Sequence, residues 1–301
     1  MNRGNMLKKY TYYIFLAVLV SAAFLFDVSV AQKEVSPNRK EIAVLQQDIM
    51  AKLTGKEEIS PGIRLPNRFS LENRKAARIY FVRLFKEFGY DALTHAYSDE
   101  GENIYAVLES TVPSDEYVVL GAHYDSVRDC PGASDNATGV VVVMTIAKTL
   151  YQLENRSKNF IFVLFDQEER GMRGSRAFAQ KLKDEKKNVH SVHTIDQMGW
   201  DEDGDSAFEL EIPYDGAFEL YEEAVRLQEK PLKIHVTNER GSDHSSFRRL
   251  EFRAVGITEE YRNSDTTPHF HKPSDTYDTI NFDYLLSTTL IIEEVMKILA
   301  R

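Results

Sequence analysis

The residues most able to do chemistry are histidines and carboxylates that follow apolar, β-branched segments or lie in loops rich in Gly and Pro. They are His123, Asp125, Asp135, Glu168, Glu169, Asp196 and His271. A set of two imidazoles and three carboxylates suits a borderline cation such as zinc, which accepts both nitrogen and oxygen ligands. With so few anionic ligands for two dications, one carboxylate would have to bridge them.

The spacing of these residues indicates a division of roles. Asp135 lies in a loop whose glycines allow the backbone to approach closely, so it is placed to bridge. Asp125 stands two residues beyond His123 and could accept the other ring N–H of that imidazole, fixing its tautomer. Of the adjacent Glu168 and Glu169, one can bind metal while the other stays free as a base.

Each feature taken alone has a plainer interpretation. A single His after a strand is more often a capping or surface residue, and adjacent glutamates are usually solvated. The segment 135–139 could be only a turn and a helix N-cap. Residues 136–138 also match a glycosylation sequon, but a loop at a metal site argues against modification there. The coincidence of five such features in one chain favours the metal site.

The elements that must position these residues alternate along the chain. Apolar residues at helical spacing predict helices at 40–53, 73–88, 139–153, 173–183, 214–227 and 282–299. Apolar, β-branched segments predict strands at 103–108, 117–122, 159–165, 192–196, 207–212, 233–236 and 254–258. This alternation predicts an α/β fold, a three-layer α/β/α sandwich with a mostly parallel mixed central sheet. The carboxyl ends of its strands would bring the histidines and carboxylates to one rim.

The N-terminal 31 residues have the order of a secretory signal. Arg3, Lys8 and Lys9 precede an apolar segment at 10–26, and Ser29-Val30-Ala31 resembles a cleavage site. We therefore expect a signal peptide at 1–31, a single catalytic domain at 32–301, and a secreted or periplasmic protein. An uncleaved N-terminal anchor is the alternative.

Composition limits the partners. The net charge of -10 argues against nucleic acid, because phosphate binding needs clustered Lys and Arg. Cys130 is the only cysteine, so an intrachain disulfide is excluded. We expect a monomer without membrane association once the signal is cleaved.

Six motifs fall in a characteristic order and spacing. They are His123-Tyr124-Asp125-Ser126, the loop 132–139, the segment 166–175, Asp196-Gln197-Met198-Gly199, Ser242-Asp243-His244 and the segment 271–276. In these motifs, over roughly residues 70 to 300, the chain resembles the co-catalytic zinc aminopeptidases. That family includes bacterial leucyl-type aminopeptidases, glutamate carboxypeptidase II, glutaminyl cyclases and the transferrin receptor ectodomain, and its resemblance implies a zinc-exopeptidase (phosphorylase/hydrolase-like) fold.

The resemblance also implies roles for individual residues. One zinc would take His123, Asp135 and Asp196, and the other would take Asp135, Glu169 and His271, giving two Zn²⁺ per chain. Glu168 would be the general base. Asp243 and His244 would lie on the substrate side without binding metal.

Two positions depart from the family pattern. Several aminopeptidases of this type have a Tyr just before the Ser-Asp-His motif, where this chain reads Asn238-Glu239-Arg240-Gly241. Tyr261, Arg240 or His269 could take over that role. His269 could also compete with His271 as a ligand, although the Pro-x-Asp-Thr context favours His271.

The resemblance implies an aminopeptidase that acts on peptides with a free N-terminus. A glutaminyl cyclase, which resembles a one-zinc site, and a carboxypeptidase are alternatives within the same fold. A non-catalytic binding module is an alternative from another class. Such modules lose metal ligands, whereas every ligand position is filled here, and the complete set favours two zincs and hydrolysis.

Overall fold

A computed structural model describes residues 39–229 and 231–301. The predicted signal peptide at 1–31 and its cleavage site lie outside the described residues, so that domain boundary stays a prediction. Residues Lys40–Arg301 form one compact unit. Within the part of the chain that the structure describes, no helix has the length and apolar character needed to cross a membrane.

The described chain contains eight strands and seven α-helices. The strands are β1 (Leu93–Ala96), β2 (Glu102–Leu108), β3 (Glu116–His123), β4 (Asn159–Phe165), β5 (Asn188–Ile195), β6 (Phe208–Glu211), β7 (Ile234–Thr237) and β8 (Ala254–Glu259). The helices are α1 (Arg39–Leu53), α2 (Leu71–Glu87), α3 (Thr138–Leu150), α4 (Arg173–Asp184), α5 (Ala217–Arg226), α6 (His244–Arg248) and α7 (Phe282–Ala300).

The strands form a single sheet in the order β1-β2-β4-β3-β5-β8-β6-β7. Its centre, β4-β3-β5-β8, is parallel throughout. Antiparallel pairings join β1 to β2, β2 to β4 and β8 to β6, and β7 runs parallel to β6. The prediction of a mostly parallel mixed sheet is confirmed.

Both faces of the sheet are covered. Val118 and Leu120 of β3 belong to a large core with residues of α2, α3, α5 and α7, whereas Val119 faces a smaller core with residues of α4. Because successive side chains of a strand point to opposite faces, this division places helices on both sides. The fully buried segment Asn159–Phe165 lies at the centre, where each buried Phe contributes roughly 1.5–3 kcal/mol. The three-layer prediction is confirmed.

Several helix ends follow from local chemistry. The Ser70 hydroxyl accepts a hydrogen bond from the Asn73 N–H at 3.1 Å, so α2 begins before the predicted residue 73. The predicted start of α5 at residue 214 was wrong, because Gly216 has a φ of 90° and the helix begins after it.

Two elements were missed from the sequence. Strand β1 is a largely exposed four-residue edge strand, and α6 has only five residues. Neither is long enough to show a periodic apolar pattern.

Candidate metal centre and active site

Three neighbouring parallel strands bring the predicted ligands to one edge of the sheet. His123 is the last residue of β3, the turn Glu168–Arg170 follows β4, and Asp196 follows β5. Gln167, with a φ of 59°, lies in the left-handed region and turns the chain sharply after β4. The parallel pairing of these strands therefore creates the predicted rim.

A first group of ligands surrounds His123. Its Nε2 lies 3.4 Å from Oδ1 of Asp135 and 3.3 Å from Oδ1 of Asp196. His123 and Asp135 are buried, at 1% and 4% exposure.

A second group shares Asp135 with the first. Nε2 of His271 lies 3.1 Å from Oδ2 of Asp135 and 3.1 Å from Oε2 of Glu169. Asp135 thus presents Oδ1 to one group and Oδ2 to the other, which is the arrangement that a bridging carboxylate requires.

The donor set fits zinc. Tetrahedral Zn²⁺ with bonds of about 2.0–2.1 Å places its ligand atoms about 3.3 Å apart. The contacts of His123 with Asp135 and Asp196, at 3.4 and 3.3 Å, and those of His271 with Asp135 and Glu169, both at 3.1 Å, lie close to that spacing. Two imidazoles and three carboxylates are also ligands that zinc accepts.

The loop that carries Asp135 is held from one side by Asp275. The Asp275 carboxylate accepts hydrogen bonds from the backbone N–H groups of Ser134 and Asp135, at 2.8 and 3.1 Å. Asp275 belongs to the motif that begins with His271, so it ties together the two loops that carry Asp135 and His271.

Arg68 holds the same region from the other side. Its fully buried guanidinium donates to the backbone carbonyls of Tyr124, Pro131 and Gly132, at 2.6 to 2.8 Å. Sequence reasoning missed Arg68, because an arginine in a Pro-containing loop gives no signal that it will be buried.

Asp125 contacts both His123 and the turn that follows β4. Its Oδ1 lies 3.6 Å from Nδ1 of His123, slightly beyond hydrogen-bonding distance. Its two carboxylate oxygens accept the backbone N–H groups of Glu168 and Glu169, at 2.9 and 3.2 Å. Asp125 therefore fixes the turn that presents both glutamates, a role that the sequence did not reveal.

The start of that turn is anchored by buried arginines. Nε of Arg74 lies 2.8 Å from Oδ1 of Asp166, and Arg78 pairs with Oδ2 of the same carboxylate. Removing one partner from such a buried pair costs about 3–5 kcal/mol, because the other charge is left uncompensated. The ion pairs hold the end of β4 against α2.

The site is strongly acidic. Burial raises the pKa of Glu168, and the nearby carboxylates of Asp243 and Asp196 raise it further. Hydrogen bonds to Asp135 and Glu169 raise the pKa of His271 to about 10. The same concentration of carboxylate charge attracts cations.

The sequence also singled out five further residues: Asp243, His244, Tyr261, Arg240 and His269. Asp243 and His244 are buried, and burial raises the pKa of Asp243 to about 7 and lowers that of His244 to about 4. Tyr261 lines the pocket beside the candidate metal ligands, but Arg240 is not among the residues lining it. Nδ1 of His269 lies 2.9 Å from the Ser274 hydroxyl, and its ring contacts Trp200. The structure therefore brings His271, not His269, to Asp135 and Glu169.

A pocket of about 340 Å³ opens at the two ligand groups. It is lined by Asp135, Glu168, Glu169, Asp196, Gln197, Glu211, Glu239, Gly241, Ser242, Thr258, Tyr261, Phe270 and His271. Its lining combines carboxylates with the two aromatic side chains of Tyr261 and Phe270.

The sequence pattern of Peptidase family M28 matches residues 103–296, which include every residue of the two ligand groups. The chain belongs to peptidase family M28. This M28 chain is 30% identical over 195 residues to a probable leucine aminopeptidase from Arthroderma benhamiae, covering 59% of the chain and 52% of that protein. The chain thus spans about half the length of such relatives.

Solved structures support the fold of this M28 member. The LapA aminopeptidase from Legionella pneumophila superposes with a TM-score of 0.77 at 18% identity, covering 90% of this chain and 76% of that one. A glutaminyl cyclase from Porphyromonas gingivalis superposes with a TM-score of 0.69 at 15% identity, covering 85% and 97%. At these identities the similarity establishes the α/β fold alone.

Proposed function

We propose that this protein is a zinc-dependent aminopeptidase that binds two zinc ions. The single observation that carries the proposal is the placement of Asp135, whose two oxygens face His123 and His271 at 3.4 and 3.1 Å. One zinc would be held by His123, Asp135 and Asp196, and the other by Asp135, Glu169 and His271. Zinc held there supplies Lewis acidity for the attack of water on a peptide carbonyl.

Glu168 is the proton-transferring residue in this proposal. It lines the pocket, it is not part of either ligand group, and its backbone is fixed by Asp125. Its carboxylate takes a proton from the attacking water and returns it to the nitrogen of the leaving amine.

The pocket supports action at the N-terminus of a peptide. Glu239 lines the pocket outside both ligand groups, so its carboxylate stays free to attract an ammonium group, whereas a C-terminal carboxylate would be repelled. Among the described residues that line it, none is Lys or Arg, so the basic group that a carboxypeptidase needs for its substrate carboxylate is missing from the lining. The similarity of this chain to the probable leucine aminopeptidase from Arthroderma benhamiae is consistent with the same proposal.

A glutaminyl cyclase is the second candidate, since the Porphyromonas gingivalis cyclase shares the fold. Comparison of a peptide with a free N-terminus and its N-acetylated counterpart tests the proposal. We expect stepwise trimming of the free peptide and resistance of the acetylated one, because acetylation removes the charge of the amine. Equal cleavage of both contradicts the aminopeptidase proposal, and conversion of N-terminal Gln to pyroglutamate without peptide-bond cleavage indicates the cyclase.

Export is a separate proposal, which rests on the N-terminal sequence. We expect the exported protein to be a monomer. We expect the chain isolated from a secreting host to begin at or near Gln32. Mass spectrometry that finds residues 10–26 on membrane-bound protein indicates an uncleaved anchor instead.

A further inference from the structure

A second group of carboxylates lies in the loop between Asp196 and β6, outside the proposed zinc ligands. Asp201, Asp203 and Asp205 occupy alternate positions, and one carboxylate oxygen of each lies within 4.8 Å of the others. Gly204 and Ser206 have φ values of 75° and 60°, so the loop curls around its aspartates.

Residues after β8 contribute to the same cluster. A carboxylate oxygen of Asp203 lies within 4.8 Å of oxygens of Glu260 and Asp265. Glu260 is buried, with its side chain only 2% exposed. Its Oε2 accepts no hydrogen bond from any residue that the structure describes.

The neighbouring cations compensate this charge only in part. Lys233 pairs with Asp205, and Nε2 of His235 lies 3.2 Å from Oε1 of Glu260. Oε1 of Glu260 also accepts from the Asn263 side-chain amide at 2.7 Å. These contacts leave Oε2 of Glu260 without a partner, and a buried carboxylate oxygen without one is costly.

We propose that Asp203, Glu260 and Asp265, with Asp201 and Asp205 beside them, form a calcium site separate from the zinc centre. Calcium takes six to eight oxygen ligands in flexible geometry, and alternate aspartates in a tightly turning loop are a frequent way to supply them. The contributed ligands are all carboxylates, whereas zinc in structural sites prefers nitrogen and sulfur. The exposed position of Asp203 leaves the site open to water, which would complete the coordination.

Calcium at this site would stabilise one wall of the active-site pocket. It would link the loop that follows Trp200 to the segment that follows Glu259. The backbone N–H of Trp200 already donates to Oε2 of Glu259 at 2.9 Å, and Tyr261, beside Glu260, lines the pocket. The calcium site would thereby hold Tyr261 in place.

Terbium luminescence tests the site directly. Trp200 is the only tryptophan of the chain and is adjacent to Asp201, so Tb³⁺ bound at the cluster should emit on excitation of Trp200. The experiment uses the full chain saturated with zinc, because zinc held by the two proposed ligand groups prevents terbium from binding there. We expect calcium to displace terbium and to bind with a dissociation constant on the order of 10⁻⁴ M. Magnesium at the same concentration should displace little terbium, so that most of the emission remains.

Matched variants complete the test. Asp203→Asn and Glu260→Gln should lower the terbium emission at least about fivefold and abolish the calcium-dependent rise in melting temperature. Asp99→Asn, in the turn between β1 and β2 at the other edge of the sheet, should behave as wild type. If Glu260→Gln fails to fold, the exposed Asp203 still provides the comparison. Equal emission from wild type and Asp203→Asn, or equal competition by magnesium and calcium, overturns the proposal.

Discussion

Oδ1 of Asp125 accepts a hydrogen bond from the backbone N–H of Glu168 at 2.9 Å. The same oxygen lies 3.6 Å from Nδ1 of His123, and Oδ2 accepts from the Glu169 N–H at 3.2 Å. One buried carboxylate therefore connects a proposed zinc ligand at the end of β3 with the turn that carries the proposed base. Changes at Asp125 should affect metal binding and proton transfer together.

Asp125→Asn tests this connection. The amide group keeps one acceptor oxygen but replaces the other with an NH₂ that cannot accept from a backbone N–H. We expect an intact fold, with zinc affinity or kcat lowered by roughly 10–100-fold. Zinc titration against a chelator and steady-state kinetics measure both effects, and wild-type values for both would show that Asp125 does not position the site.

The adjacent glutamates should give opposite phenotypes. Glu168→Gln should bind zinc normally and lose about 10²–10⁴-fold in kcat, because its amide cannot transfer the proton. Glu169→Gln should instead lose zinc, since Oε2 of Glu169 lies in a ligand group, 3.1 Å from His271. The measurements are zinc content and kcat of both variants. If Glu168→Gln lost zinc and Glu169→Gln kept it, the two residues would have the opposite roles.

Zinc removal and reconstitution test the number of metal ions. We expect about two zinc ions per chain in gently purified protein, because both ligand groups are complete and share Asp135. Chelation should abolish activity, and titration with zinc should restore it in proportion to the second ion bound. Elemental analysis showing one tightly held zinc, with no activity gained on further addition, contradicts the two-metal proposal.

His193 should make the protein sensitive to acid. Burial lowers its pKa to about 3, with Tyr221 and Ser191 at hydrogen-bonding distance from its ring nitrogens. The unfolded chain binds a proton near pH 6.5, so between about pH 6.5 and 3 only the unfolded state gains it. Stability should therefore fall by up to about 1.4 kcal/mol for each pH unit below 6.5 from this residue alone.

The measurement is urea unfolding from pH 7 to 5 in wild type and His193→Gln. The variant should lose stability less steeply as the pH falls. Tyr221→Phe removes the hydrogen bond but keeps the imidazole. Its free energy of unfolding should therefore be lower than that of wild type at every pH, with a similar slope against pH. Identical slopes for wild type and His193→Gln would contradict the prediction.

Glu239 should influence which N-terminal side chains are accepted. It is exposed and lines the pocket. Glu239→Gln should lower kcat/KM for a lysyl substrate relative to a leucyl one by about two- to fivefold, the range of an exposed ion pair. The effect should weaken in high salt. Glu219→Gln, exposed on α5, is the control, and an unchanged lysyl-to-leucyl ratio in Glu239→Gln argues that this residue does not contact the side chain.

Much of the fold was predictable because its signals are local. The apolar segment 160–165 of β4 and the amphipathic α2 can each be recognised within a single segment. Strand β1 and helix α6 were missed because short or exposed elements owe their conformation to neighbours across the sheet, which a local pattern does not contain.

The sequence by itself determined which residues are available for chemistry. His123 ends β3, and Glu168 and Asp196 come shortly after the ends of β4 and β5. Parallel strands bring their carboxyl ends to one edge, so a common site could be predicted. Only the tertiary structure decided how Asp135 divides its two oxygens between His123 and His271, and that His271 rather than His269 reaches it. Only the structure showed Arg68 and Asp275 holding that loop and Glu260 meeting Asp203. These contacts join residues far apart in the chain, and their geometry depends on how loops pack against one another, which residue types and spacing do not encode.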